Sequence, residues 1–443
     1  MSFFSLPTQS APQETGISSV RVDEITPVSS VNALRGGSVA FEMQSPANSY
    51  FVPRMSYFNC RIRITKSVAG VGLDGNDASV VDYSTSPTGG GMQFKSNPIA
   101  GIVNTFSHML NGVTVETCSN VAETAAILHR ASISHEYLRS SGGSMYRLVG
   151  YDGARNSVSV PPGGSLQPWN GTTVHDCAWA PPSGMWSMPG GLPGGRHRMT
   201  MVMNTGLRER ILQMGAVRAA LTTDAFISVS IGSITLHATH MTPDQPIPVP
   251  RNVVLSLHPM TVVMSGVTTA VGNSTHTLSV PPSTDRLFVA LNLQSAGSSC
   301  AIQDNHCSFE PSLSQLQVSY AGLTLPQSQY TSIDSGSAKR QILKPYADWL
   351  AASGRLYYET SSYDNIIDYQ LRPIYGFSFE KAANDSSTNV QVRLGRTANV
   401  FGESTSPTPA GANLIVAAQS HIAVVLTYSD DGLISSCDSV VEL

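Results

Sequence analysis

The chain has 443 residues and a mass of 47.1 kDa, room for two or three ordinary domains. Its charged fraction is 13%, about half the ~25% of typical soluble proteins, and its net charge is −4. That balance excludes a whole-protein nucleic-acid binder, whose domains run to a pI above ~9, and a hydrophobic fraction of 41% excludes wholesale disorder.

Residues 1–20 are polar, contain Pro and Ser, and read as an N-terminal arm that orders only against something else. From Val20 onward the dominant signal is short strands separated by turn chemistry. Ser38–Met43 alternates with period two, and Asn59–Thr65 alternates more clearly, with Cys60, Ile62 and Ile64 on one face and Arg61 and Arg63 on the other. Residues 68–93 read as a long loop. Asn111-Gly112, between Ser107–Leu110 and Val113–Val115, is the strongest hairpin cue in the chain. A helix is predicted over Asn120–Arg139, with Ser119 or Asn120 as cap, Glu123 in its first turn and apolar spacing through Ala125, Leu128 and Ile133.

Residues 140–198, with PPGG, PPSG and MPGGLPGG runs, read as a second long loop. It holds three of the four tryptophans (Trp169, Trp179, Trp186), which points to an ordered, elaborated loop packed against a neighbour. Ala225–Ile231 and Ser233–Ala238 read as two strands broken at Gly232. The segment 241–251, dense in proline, reads as an extended linker.

The second half then repeats the plan of the first. Asn111-Gly112-Val113-Thr114-Val115 corresponds to Ala321-Gly322-Leu323-Thr324-Leu325, each followed by a helix. Ser38–Pro46 ahead of the Cys60 strand parallels Ser274–Pro282 ahead of Asp285–Leu291. The second helix is predicted over Ala338–Ala352, kinked or divided by Pro345. A duplicated β-domain is the simplest account: a first unit over 21–240, the linker over 241–251, and a second unit over 252–443.

Chemical motifs are sparse. Gly70, Gly72 and Gly75 fit GxGxxG, but no helix begins inside the motif, as a dinucleotide site requires. His237 and His240 fall on opposite faces of a strand and do not chelate one ion together. Cys300, His306 and Cys307 lack a fourth ligand at zinc spacing. Asp430-Asp431 reads as a turn, and Asp364 and Asp368 as solvated loop charges. Arg208-Glu209-Arg210 and Lys339-Arg340 are the only basic clusters, so no sequence-specific nucleic-acid site is expected. Cys60, Cys118, Cys177, Cys300, Cys307 and Cys437 form no CxxC pair and read as reduced thiols. Sequons stand at Asn170, Asn273 and Asn384, and the opening residues do not read as a secretory signal. No catalytic, cofactor-binding or metal residue is nominated.

Taken in order, these blocks resemble the double jelly-roll major capsid proteins of the adenovirus-like lineage of double-stranded DNA viruses. The likeness is nearest to the polinton-like, adintovirus and nucleocytoplasmic large DNA virus branch. It rests on Phe41–Met43, Ser49–Pro53 and Asn59–Lys66 as opening strands, and on Asn104–Val113 as a strand, Asn-Gly hairpin and helix block. It rests also on Pro373–Phe379 and Val390–Leu394 as late strands of the second roll, with Ser420–Tyr428 as its closing strand. The family often has Asp where this chain has Ser378.

The resemblance implies an all-β fold of two tandem eight-stranded antiparallel jelly rolls with short inserted helices and long loops. It implies a non-enzymatic subunit whose homotrimers, of pseudo-hexagonal outline, tile an icosahedral shell. Expected partners are further copies of itself, penton and minor capsid proteins, and an internal membrane on the side of the arm; 140–198 would supply tower and intersubunit surface. The alternative is a two-domain β-sandwich carbohydrate-binding or adhesion protein.

Overall fold

The computed structural model describes residues 16–28, 37–66, 92–94, 98–132, 172–204, 212–214, 227–245, 251–267, 272–294, 313–333, 341–354, 366, 369, 373–379, 387–396, 411–429 and 433–442. The chain begins with strands β1 (Ile17–Ile25), β2 (Ser38–Gln44), β3 (Tyr50–Phe51), β4 (Tyr57–Lys66) and β5 (Met92–Phe94). A short helix α1 (Pro98–Ile102) leads into β6 (Val103–Leu110), β7 (Val113–Ser119) and helix α2 (Val121–Ser132). After it come β8 (Thr172–Trp179), the single turn α3 (Gly184–Ser187), β9 (Arg196–Met203), β10 (Leu212–Met214) and β11 (Ile227–Pro243).

Two sheets stack in this half, ordered β1-β11-β4-β8, with β3 added beside β11, and β2-β9-β6-β7. Their facing residues are the ones the alternation predicts. Val39, Phe41 and Met43 of β2 meet Phe58, Cys60 and Ile62 of β4 in one core, while Arg61 stays in solvent. β5 and β10 pair separately, so the segment read as the loop 68–93 already enters a strand at Met92.

The second half is built from β12 (Asn252–Leu257), β13 (Met260–Val267), β14 (Gly272–Ser279), β15 (Thr284–Gln294), β16 (Leu313–Tyr320) and β17 (Leu323–Thr331). Helix α4 (Leu343–Ala352), β18 (Tyr375–Ser378), β19 (Asn389–Arg396), β20 (Gly411–Ser420), β21 (Ile422–Tyr428) and β22 (Ile434–Glu442) complete it. Its sheets are ordered β13-β20-β15-β18 and β14-β19-β16-β17. Leaving aside β3, β5, β10 and the set β12, β21, β22, each half has eight strands among the described residues. Numbered one to eight within its half, each pair of sheets reads 1-8-3-6 and 2-7-4-5. This shared winding is the jelly roll, and the duplication read from the sequence is real at the level of strand order.

The two hairpins on which the repeat was read are conformational twins. Asn111 and Gly112 have φ of 48° and 85°, and Ala321 and Gly322 have φ of 51° and 76°, the paired left-handed turn that matches strand twist. Each hairpin is followed by its helix.

Several expectations need correction. The arm read over 1–20 overlaps β1, which pairs with β11 from Ile17 onward. Gly232 does not end a strand: β11 runs through it, with a register shift between Ile231 and Ser233 that absorbs one residue as a bulge. β11 also extends to Pro243, into the segment read as linker. The segment 140–198, read as loop throughout, contains β8, α3 and the start of β9. Trp179 and Trp186 lie in the core of their own roll rather than against a neighbour. Pro345 neither kinks nor divides α4. It falls in the first turn, where its missing N–H has no intrahelical partner to lose.

The largest departure is at the C-terminus. Ser420–Tyr428 is not the closing strand of the second roll, a place taken by β20. Instead β12, β21 and β22 form a three-stranded sheet of their own. Leu257, Val424, Leu426, Ile434 and Cys437 from that sheet belong to the core of the first roll.

Candidate functional site

The sequence holds no catalytic constellation, and the features that distinguish the molecule are the surfaces and buried polar groups that make the two rolls one body. The seam between them is built by α2. It springs from the first-roll hairpin but lays Ala126, Ile127 and Ala131 on the outer face of the second roll's β13-β20-β15-β18 sheet. There they join Phe288, Trp349 and Ile415. Asn120, in a left-handed conformation just before α2, sends its side-chain amide across the seam to the Val262 carbonyl at 3.2 Å. Thr124 ties the first turn down, its hydroxyl donating to the Ser119 carbonyl at 3.1 Å.

Two polar side chains hold the three-stranded sheet and the β8–β9 connection onto the first roll. Asn111 accepts from the Arg196 N–H at 2.8 Å through Oδ1, and its Nδ2 donates to the Ile434 carbonyl. A residue legible only as a turn former is therefore also the clamp on β22. Glu116, buried on β7, receives the N–H groups of Gly184 and Met185 at 2.7 and 2.9 Å. Burial pushes its carboxyl up from the usual range, and those two backbone donors pull it down. Ser183 caps the same turn by accepting from the Trp186 N–H at 3.3 Å.

Among the described residues, His108, His197 and His240 lie inside the first roll. His108 Nε2 is 3.2 Å from His197 Nδ1, and His240 Nε2 is 3.2 Å from Ser45 Oγ. The Phe51 ring stands 5.0 Å from the His197 ring and 5.8 Å from that of His240. Burial holds His108 down to about 4 and His197 well below the ordinary histidine range. In the second roll a cavity of about 510 Å³ opens between β17, α4 and β18, lined by Leu325, Pro326, Lys344, Asp348 and Phe377 among others. Asp348 Oδ2 accepts from the Tyr330 hydroxyl and, at 2.5 Å, from Lys344 Nζ. Burial and that carboxylate push the Tyr330 hydroxyl up.

Of the positions weighed in the sequence, His237 and His240 do not act together. His237 stacks on Tyr57 at 4.7 Å near the surface, whereas His240 points inward. Asn273 is exposed on β14. Cys60, Cys118, Cys177 and Cys437 are buried in the core outside any disulfide, and burial pushes Cys118 up to about 12. The GxGxxG glycines, Cys300, His306, Cys307, Asp364, Asp368, Asp430, Asp431, Asn170, Asn384 and both basic clusters lie outside the described residues. Among the described residues no group of His, Cys, Asp and Glu is placed to hold a metal ion, and no helix is long and apolar enough to cross a membrane. Sequence reasoning missed the His108–His197 contact, because the two residues are 89 positions apart and only the β6–β9 pairing joins them.

Two eight-stranded rolls of one winding, fused along a helix-covered sheet, define the chain as a double jelly-roll protein, the fold of the major capsid proteins that the sequence blocks resemble. No family model matches the chain, and no curated protein matches its sequence. Solved structures do. A chain of the Sputnik virophage structure matches with a TM-score of 0.62 at 14% identity, over 96% of this chain and 89% of that one. The Faustovirus major capsid protein matches with a TM-score of 0.52 at 10% identity, over 96% and 93%. The mavirus major capsid protein matches with a TM-score of 0.50 at 11% identity, over 96% and 92%. At these identities the likeness is one of fold, and it extends over both rolls.

Proposed function

We propose that this chain is the major capsid protein of a virus. It is a structural subunit that associates into trimers of pseudo-hexagonal outline, and these tile an icosahedral shell. The observation that carries the reading is the repeated roll held in a fixed side-by-side pair by α2. Two lobes of one winding give each subunit two near-equivalent sectors, so three copies present six around a closed ring. The match over nearly the full length of proteins named as major capsid proteins supports the same reading. Catalysis has no part in it.

Its place is then the virion, and its partners are further copies of itself, with penton and minor capsid proteins at the vertices and inner face. An internal membrane is a further candidate partner. The test is the mass of the purified protein in solution by light scattering after size exclusion. Trimers of three 47.1 kDa chains, or larger closed particles, are expected. A monomer at every concentration and salt condition tried would overturn the proposal and turn attention to a glycan-binding module.

A further inference from the structure

His108 and His197 of the first roll occupy positions that the second roll fills differently. Aligned on the hairpins, His108 of β6 stands where β16 has Val318. In the matching register of the neighbouring strand, His197 opposite Leu110 stands where β19 has Val390 opposite Tyr320. Val318 and Val390 are fully buried in the second-roll core. The fold therefore accepts aliphatic side chains at both places, and the first roll carries imidazoles instead. Neither His108 Nδ1 nor His197 Nε2 has a hydrogen-bond partner in the structure, although both residues are fully buried. Unpartnered polar atoms in a core are a cost to the fold that packing does not explain.

We propose that His108, His197 and His240 form an acid-operated release in the first jelly roll. On acidification they take up protons inside the sealed core and loosen the two sheets from one another, while the second roll, with Val318 and Val390, holds.

The groups around the triad set the order of events. From β1, Asp23 Oδ2 stands 3.2 Å from His240 Nδ1 and favours its charged form, while Arg21 opposes it. His240 therefore charges with a nearby counter-ion. His108 and His197 have none: each imidazolium would face the other, and His197 also feels His240. Glu116 lies opposite His108 on β7, but its carboxylate is engaged by the N–H groups of Gly184 and Met185. The Glu42 ion pairs with Arg196 and Arg198 join a half-buried side chain of β2 to two exposed ones of β9.

The sign follows from linkage. A histidine in the unfolded chain binds its proton near pH 6.5, whereas burial holds His108 down to about 4. Below pH 6.5 the unfolded state takes up more protons than the folded one, so stability is lost as the pH falls from about 6.5 towards 4. Between pH 7 and pH 5, His108 alone shifts the unfolding equilibrium about twenty-fold. In the second roll His276 is half-buried and makes its contacts with Ser265 and Ser274 near the surface, so it carries no comparable penalty.

The test is hydrogen-exchange protection of the full-length protein at pH 7 and pH 5, corrected for intrinsic exchange rates. It compares the native chain with a His108→Val/His197→Val double variant that borrows the second-roll residues. The native chain is expected to lose at least tenfold protection in β6 and β9 at pH 5 and to keep it in β16 and β19. The double variant is expected to keep protection in both rolls. An equal loss in the two rolls of the native chain overturns the proposal without recourse to any variant, as does a first-roll loss that persists undiminished in the double variant. Because the readout is local stability, it stands or falls independently of whether the chain forms shells.

Discussion

Asn111 and Ala321 sit at the same point of equivalent hairpins, both with positive φ, yet they bear different loads. Asparagine tolerates the left-handed region, and its amide both accepts from Arg196 and donates to Ile434. Alanine has neither advantage, and holding it there costs about 1–2 kcal/mol. Replacing Asn111 with Ala should therefore destabilise the protein by about 2–3 kcal/mol, the sum of the backbone strain and one or two lost hydrogen bonds. Ala321→Gly should stabilise it by up to about 1 kcal/mol, the relief of strain less the added chain entropy. Denaturant midpoints for the two variants check both, and opposite signs are the expected outcome. A destabilised Ala321→Gly would show that the second hairpin does not hold its left-handed turn.

At the scale of elements, helix α4 shows how close backbone approach depends on one small residue. A Cβ on Gly376 would lie 2.7 Å from the Ala352 Cβ and 3.0 Å from the Trp349 Cα, so β18 meets the helix almost backbone to backbone. Trp349 is fully buried there against Phe288 and Tyr369. Trp349→Ala should cost about 3–5 kcal/mol and free α4 from the sheet; amide exchange along α4 that stays at native rates would contradict this. Much of this layer was legible in the sequence. The strand at Asn59–Thr65 alternates because one face meets solvent. By contrast Leu287–Leu291 is apolar throughout because Leu287, Val289 and Leu291 face the roll interior while Phe288 and Ala290 face the helices. The hairpins and the start of α2 announced themselves through local turn chemistry, whereas α4 begins at Leu343, not at the expected Ala338, and without a side-chain cap. What stayed hidden depended on distant pairing. β8 and α3 were masked by glycine and proline on either side, and the alliance of β12, β21 and β22 with the first roll leaves no local trace.

For the whole molecule, that alliance ties the two ends of the chain to one core. Removing residues 434–443 should weaken the first roll more than the second, because Ile434 and Cys437 pack in the first-roll core and the Asn111 amide loses its acceptor. Limited proteolysis read by mass spectrometry should show early cuts in the first roll of the truncated protein; cuts confined to the second roll would refute this. The same arrangement sets a schedule for synthesis. The first roll leaves the ribosome early, but its core stays open until β21 and β22, which follow the whole second roll in the chain, fold back onto it. A nascent or prematurely ended chain thus lacks a finished first roll. The half made first is thus the half completed later, and its apolar face waits uncovered for as long as the second roll takes to emerge.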